Sequence, residues 1–226
     1  NARLSQKSYR GYQRAKLLFK PLWSFVYIAA QTQIEAERFI DLGVPAANVT
    51  GTGSLKFDLQ LNPQDFERAA YFRDIFGKRK AIWHEGEETI VLEAFSKVKQ
   101  VNPELLLVIA PRHRERFDAV ASMIAAKGFR LARRSLRQSA TDATDVFLQD
   151  SMGELLHSYG ACDLAYVGGS LVPVGGHNVL EPSAFAVPSL TGPYVFNFLE
   201  ITKRLIAADA LQTVTHAKSM AEAVIE

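Results

Sequence analysis

The stretch Leu164–Phe198, LAYVGGSLVPVGGHNVLEPSAFAVPSLTGPYVFNF, decides how the chain is read. Its first residues, Leu164 to Val167, form a short apolar run that stops at Gly168-Gly169. Such a run ending in paired glycines predicts a buried parallel strand whose exit turn lets another group approach the backbone closely. A second pair, Gly175-Gly176, leads into His177-Asn178 and the apolar-periodic segment Val179–Phe185. Asn178 is placed to cap a helix over that segment, with Glu181 in its first turn. Backbone N–H groups and the helix dipole there would suit an anion. Two tight turns and a capped helix would account for the spacing alone. Two glycine pairs so close together, followed by His-Asn and an early Glu, point further, to a binding loop.

Outward from this stretch, strands alternate with helices. Upstream, the periodicity predicts helix Asp65–Phe76, strand Lys80–Trp83, helix Glu87–Gln100, strand Leu105–Ala110 and helix Glu115–Lys127. Strands near Phe129–Arg133 and Val146–Gln149 follow, then helix Gly153–Tyr159. Downstream come strand Val187–Leu190, helix Phe198–Ala208, strand Leu211–Val214 and helix Ala217–Ile225. This alternation predicts an α/β fold, a Rossmann-like parallel sheet with helices on both faces. In such a sheet ligands sit outside the carboxyl ends of the strands.

Those ends carry the polar residues of interest. Strand Leu105–Ala110 ends in Pro111-Arg112-His113-Arg114-Glu115-Arg116, a basic cluster suited to phosphate or carboxylate. Three arginines at a helix start oppose its dipole, a local conflict that points to function. Strand Val146–Gln149 ends in Asp150-Ser151-Met152-Gly153-Glu154, where Asp150 or Ser151 with Glu154 reads as a capping box. Strand Lys80–Trp83 runs into His84-Glu85-Gly86-Glu87-Glu88. Glu88 stands where a zinc-protease helix needs its second His, so no metal site is expected. A phosphate loop is excluded because Arg79 follows Gly77-Lys78, and Gly51-Thr52-Gly53 lacks the third glycine of a dinucleotide fingerprint. Glycine turns, arginines and helix starts without a metal site suit a nucleotide monophosphate.

Composition sets the bounds. The 226 residues are 48% hydrophobic and 22% charged, as in an ordinary globular chain with a substantial core. A net charge of +2 carries no nucleic-acid signature. The lone Cys162 excludes an internal disulfide and reads as buried filler. The chain begins at Asn1 with no signal-peptide pattern, and a piece of a longer protein is expected. Arg3, Lys7, Arg10, Arg14, Lys16 and Lys20 precede the first acid, Glu35, with Tyr9, Tyr12, Phe19 and Trp23 among them. A membrane-surface contact, an RNA-type patch and a solvated helix face remain open for residues 1–24, with nucleic acid last. Strand Val26–Ala30, helix Thr32–Leu42 with Gly43 closing it, and an extended piece at Val49-Thr50 follow. Gly53–Pro63 then reads as a linker ending at a domain boundary.

An ordered set of motifs carries a family resemblance. It comprises His84-Glu85-Gly86-Glu87-Glu88, Pro111-Arg112-His113-x-Glu115-Arg116-Phe117, Ser151-Met152-Gly153-Glu154-Leu155 and Val167-Gly168-Gly169-Ser170-Leu171. Gly175-Gly176-His177-Asn178-x-Leu180-Glu181-Pro182, then Gly192-Pro193 and Phe196-Asn197-Phe198, complete the series. Asn1–Ser5 and Gly53–Asp58 add to it. Together they resemble the bacterial Kdo transferases of lipopolysaccharide assembly. The resemblance implies one half of a two-domain GT-B, inverting glycosyltransferase that moves Kdo from CMP-Kdo to lipid A precursor at the cytoplasmic face of the inner membrane. No further cofactor is implied.

By that resemblance Pro111, Arg112, Met152, Gly153, Glu154, Asn178, Val179, Leu180 and Glu181 contact CMP, with Glu181 on the ribose hydroxyls. His84, Glu85, His113, Gly169, Ser170, Gly176 and His177 are further donor-site candidates. Residues 1–60 would be the tail of the acceptor domain and a linker, and 61–226 the donor domain. The family's general base lies in the amino-terminal domain, and no position here matches its motif. In the family, several small and hydroxyl residues precede His-Glu-Gly-Glu-Glu, whereas here Trp83 abuts His84, either through a true deletion or, the favoured reading, because a loop is missing from the sequence. A non-catalytic nucleotide-binding module and a nucleotide-sugar epimerase are the alternatives.

Overall fold

The computed structural model describes residues 2–53, 59–77, 80–84 (backbone alone) and 87–226. The chain divides into two units, Asn1–Leu59 and Gln60–Glu226. The reading of Glu85 and Gly86, and that of 54–58 within the linker, lies outside the described residues.

In the first unit, helices α1 (Gln6–Arg14) and α2 (Lys16–Trp23) precede strand β1 (Ile28–Ala30), helix α3 (Gln33–Asp41) and strand β2 (Val49–Gly51). The side chains of Ser5 and Thr32 cap α1 and α3 by accepting from Ser8 N and Glu35 N. β1 and β2 pair in parallel, Ile28 opposite Val49. Leu4, Phe39, Leu42 and Val44 form its core, with Tyr9, Trp23, Ile28 and Val49 against them. The buried Glu35 accepts from Leu4 N while Arg38 donates to Leu4 O, which pins the extended start of the chain.

The second unit opens with α4 (Pro63–Phe76), where Asn62 and Asp65 form a reciprocal capping box and Pro63 takes the first turn. Then follow β3 (Lys80–His84), α5 (Glu88–Val101), β4 (Leu106–Ala110), α6 (Phe117–Ala126), β5 (Leu131–Arg133) and β6 (Val146–Leu148). α7 (Leu155–Gly160), β7 (Leu164–Val167), α8 (Leu180–Ala184), β8 (Ser189–Thr191), α9 (Leu199–Ala207), β9 (Leu211–Thr213) and α10 (Ala217–Ile225) complete it. Among the described residues, seven strands form one parallel sheet in the order β5-β6-β4-β3-β7-β8-β9.

Alternation along the strands assigns each face its helices. Leu107, Ile109, Val146, Leu148 and Tyr166 pack with residues of α5, α6 and α10. Leu106, Val108, Phe147 and Ala165 pack with α4 and α7, where Cys162 is also buried. Phe147 is fully enclosed and meets the ring of Phe76 edge-on at 5.1 Å. Cutting Phe147 back to Ala would cost about 3–5 kcal/mol, the usual range for a core aromatic. The strand order reverses at β3: the chain passes to β4 on one side and returns through β7 on the other. That reversal opens a crevice at the carboxyl edge, where ligands of such sheets bind.

Strand–helix order follows the sequence reading, but several boundaries differ for physical reasons. β3 runs one residue further than expected, with Trp83 and His84 opposite Ile109 and Ala110. A 3₁₀ turn, Arg114–Arg116, precedes α6, and Asp118 occupies the first turn of that helix. The arginines therefore lie in the turn before the α-helix, with Arg116 at its N-cap position, where Glu88 pairs with it. α7 starts at Leu155 without a side-chain cap, because Asp150 turns to Arg133 and Ser135 and Glu154 to Arg134. The expected capping box is not formed. α8 starts at Leu180, and Asn178 lies one residue before its cap position.

Candidate functional site

The two glycine pairs are bonded to each other at the carboxyl edge of β7. Gly176 N donates to Gly169 O at 2.7 Å, and His177 N donates to Gly168 O at 3.1 Å. Gly169 has a φ of +66°, and a Cβ there would stand 2.8 Å from His177 Nε2. Glycine is required on both counts. Gly192 meets Ser170 as closely: an added Cβ would lie 2.2 Å from its carbonyl oxygen. The buried Ser170 donates its hydroxyl to Val167 O and accepts from Gly192 N.

The amides beyond Gly169 are already in use. Ser170, Leu171 and Val172 all donate to Oε1 of the buried Glu87, and Tyr166 donates its hydroxyl to Oε2. Burial, reinforced by the Glu87 charge, pushes the Tyr166 pKa far above its ordinary value, so the phenol stays a donor. The chain's own carboxylate thus occupies these amides. Sequence reasoning missed this role and read Glu87 as a first-turn acid. The signal lay in Tyr166, a phenol in an apolar strand whose hydroxyl needs a partner.

Arg112, exposed just past the buried Pro111 at the end of β4, brings Nη1 to 3.4 Å from His177 Nδ1. Donation in that direction requires the imidazole proton on Nε2. Burial first, then the nearby Arg112 and His113, hold the His177 pKa below its ordinary value, so the ring is neutral at neutral pH. His113 itself is exposed and faces Glu115 at 3.8 Å. His84 ends β3 beside Ala110; its side chain and Glu85 lie outside the described residues. The structure thus unites Arg112, Gly169, Gly176 and His177 in one cluster, with Ser170 beneath it.

Asn178 joins the next element through its side chain. It accepts from Leu180 N at 3.2 Å and donates to Glu181 Oε1 at 3.1 Å. The Asn178 side chain thereby holds the first amide of α8 and orients the Glu181 carboxylate. Burial raises the Glu181 pKa, partly opposed by the Asn178 hydrogen bond. A carboxylate so desolvated gains from hydroxyl donors offered by a ligand. Val179 is buried, and Leu180 packs near it beside Val167 and Ile201.

Met152, Gly153 and Glu154 form a separate group beyond β6. Met152 is exposed, and Gly153 has a φ of +79° with open space where a Cβ would be. Glu154 accepts two bonds from Arg134, Nε at 3.1 Å and Nη2 at 2.9 Å, besides those from Gln149 and Ser151. Arg134 lies over the rings of Tyr71 and Phe72. With its carboxylate committed, Glu154 leaves ligand recognition to the backbone around Gly153. A recess of about 180 Å³ touches this group, and one of about 470 Å³ adjoins it along Gln64–Arg68 and His157. Both lie beside α4, not at the Arg112–His177 cluster. Among the described residues, no three His, Cys, Asp or Glu side chains converge as a metal site would require.

The parallel sheet with its strand-order reversal is the Rossmann-like architecture of one half of a GT-B glycosyltransferase. The crystal structure of the C-terminal CMP-Kdo binding domain of WaaA from Acinetobacter baumannii matches this chain with a TM-score of 0.67. Identity there is 32%, covering 72% of this chain and 88% of that one. The family described as 3-deoxy-D-manno-octulosonic-acid transferase (kdotransferase) matches residues 1–59. The chain belongs to the Kdo transferase family. A 3-deoxy-D-manno-octulosonic acid transferase of Haemophilus influenzae is 38% identical over 100% of this chain and 54% of its own length. The chain therefore spans about half the length of the curated relatives it matches. A glycosyltransferase from Rickettsia africae shares the fold alone, with a TM-score of 0.57 at 14% identity over 99% of this chain and 57% of that one.

Proposed function

We propose that this chain is the donor-binding part of an inverting Kdo transferase that uses CMP-Kdo and lipid A precursor (lipid IVA). The observation that carries this reading is the 32% identity to a CMP-Kdo binding domain over 88% of that domain. Residues 61–226 bind the donor, and residues 1–60 are the tail of the acceptor domain with its linker. Arg112 neutralises the CMP phosphate, with neutral His177 beside it. Glu181, held by Asn178, accepts from the ribose hydroxyls. Backbone groups of Met152–Glu154 meet the base.

As the sugar–phosphate bond breaks, negative charge grows on the leaving phosphate and positive charge on the sugar ring. Arg112 stabilises the first of these. The acceptor hydroxyl attacks the opposite face after losing its proton to a base outside this chain. The chain alone is thus expected to bind CMP and to transfer nothing. It works at the cytoplasmic face of the inner membrane, meeting an anionic surface through its basic first residues, and takes no nucleic acid.

Calorimetric titration with CMP, UMP and AMP tests the reading, with EDTA added to a second CMP series. CMP should bind most tightly and be indifferent to EDTA. Equal binding of AMP, or none of CMP, would overturn the donor assignment; Kdo transfer by this chain alone would overturn the placement of the base.

A further inference from the structure

Glu87 has no part in the ligand contacts above, yet it is only 2% exposed. A carboxylate is buried only where hydrogen bonds replace its water. Glu87 receives the Tyr166 hydroxyl at 2.6 Å and the amides of Ser170, Leu171 and Val172 at 2.8, 2.5 and 3.3 Å. Although it occupies the position before α5, it makes no side-chain cap bond to that helix. The bonds of its carboxylate run across the sheet reversal, from the start of α5 to β7 and the turn after it.

Among the described residues, little else holds that turn on the β3 side. The β3–β7 ladder consists of Ala81 opposite Leu164 and Ile82 opposite Ala165, and so ends before Gly168. On the β8 side, Val167 pairs with Thr191 and Ser170 Oγ accepts from Gly192 N. Against the turn's outer surface rest Gly176 and His177, through the Gly169 and Gly168 carbonyls. The adjacent Glu88 reaches the other way, to Arg116 at 3.1 Å, and braces the segment that carries Arg112.

We propose that Glu87 is the positioning residue of this site: its carboxylate fixes the Gly168–Val172 turn on which His177 rests, and through His177 the placement of Arg112. The functional part of this inference rests on the reading of the crevice as a CMP site. The structural part does not.

Glu87→Ala, Glu87→Gln and the surface control Glu93→Gln test it, each checked by circular dichroism to be folded at the working temperature. NMR of the ligand-free proteins reads the amide resonances of Ser170 and Leu171 and the imidazole resonances of His177. Calorimetry reads CMP affinity. Glu87→Ala should shift all three sets of resonances and weaken CMP by at least about tenfold, the scale of one hydrogen bond to a charged group. Glu87→Gln keeps a carbonyl oxygen for the amides and should recover most of both effects; Glu93→Gln should match the parent. A folded Glu87→Ala with parental His177 resonances, or with parental CMP affinity in a parent that binds CMP, would overturn the proposal. Should Glu87→Ala fail to fold, Glu87→Gln and Tyr166→Phe decide it: smaller shifts of His177 in both support it, and parental spectra overturn it. A parent that does not bind CMP sinks the donor-site reading, and the His177 resonances still decide the role of Glu87.

Discussion

His177 and Gly169 compete for one volume: a Cβ on residue 169 would lie 2.8 Å from His177 Nε2, so the imidazole occupies the place of a side chain. Gly169→Ala therefore meets two penalties, a positive φ of +66° and a displaced ring. The expected loss is about 2–4 kcal/mol, combining left-handed strain with overpacking. Gly153→Ala has the strain without the clash, since its φ is +79° and nothing lies near its added Cβ. It should lose only about 1–2 kcal/mol. Urea unfolding of both variants measures the difference, and equal losses would contradict the close packing of His177.

Glu181 should trade stability for affinity. Burial raises its folded-state pKa, so its stabilising contribution is complete below the unfolded value of about 4.3 and is lost as pH rises through the folded value. Glu181→Gln removes that loss. The ligand-free variant should melt at or above the parent at pH 7, and the advantage should vanish near pH 4. CMP binding should nevertheless weaken by about 1.5–3 kcal/mol, the worth of a hydrogen bond to a charged group. Glu88→Gln should do the reverse, destabilising the protein by about 1–3 kcal/mol through its bond to Arg116 and affecting CMP less. Parental CMP affinity in Glu181→Gln would refute the ribose assignment.

Acid should weaken the outer strands of the sheet first. The Arg130 hydrogen bond leads in holding the Asp145 pKa far below the usual carboxylate range. Burial opposes ionisation at Asp150 and Glu154, but Ser135 with Arg133, and Arg134 with Ser151, outweigh it and depress both. Depressed values stabilise above the unfolded pKa values of about 3.9 and 4.3 and are lost as pH falls through the folded ones. The urea midpoint should fall steadily from about pH 5 downward. Asp150→Asn should flatten that fall, and an unchanged slope would show that the Arg133–Asp150 pair does not contribute.

Local patterns were the legible part of this fold. The apolar run in Leu105–Ala110 read as a strand, which is buried throughout, and the first glycine pair announced the close approach found at Gly169. What the sequence could not reveal was which distant group would claim each polar one. Ser151 and Glu154 read as a capping box because they are three residues apart, but Arg134, twenty residues away in sequence, takes the Glu154 carboxylate. Glu87 read as a helix-start acid because its true partners lie 79 to 85 residues further on. Asn178 and Glu181 stand three residues apart in the sequence, while the side-chain bond between them required the structure.

The basic first residues are expected to bind anionic membrane surfaces weakly and in a salt-sensitive way. No residue of α1 or α2 is fully buried, and Leu17 and Phe25 are 85% and 84% exposed, with Leu18, Leu22 and Tyr27 also out in solvent. Lys16 and Lys20 flank these side chains, and no acid precedes Glu35. Each cation near an anionic leaflet contributes about 1 kcal/mol, attenuated within a Debye length of about 10 Å at 0.1 M salt. The apolar side chains add a part that salt does not screen. Sedimentation with vesicles containing anionic lipid, at low and high salt, separates the two. Lys16→Gln with Lys20→Gln should weaken binding mainly at low salt, whereas Leu17→Ser with Leu18→Ser should weaken it at both. Neutral vesicles should bind far less. If removing residues 1–24 leaves sedimentation unchanged, these helices are only a surface of their domain, and the membrane assignment fails.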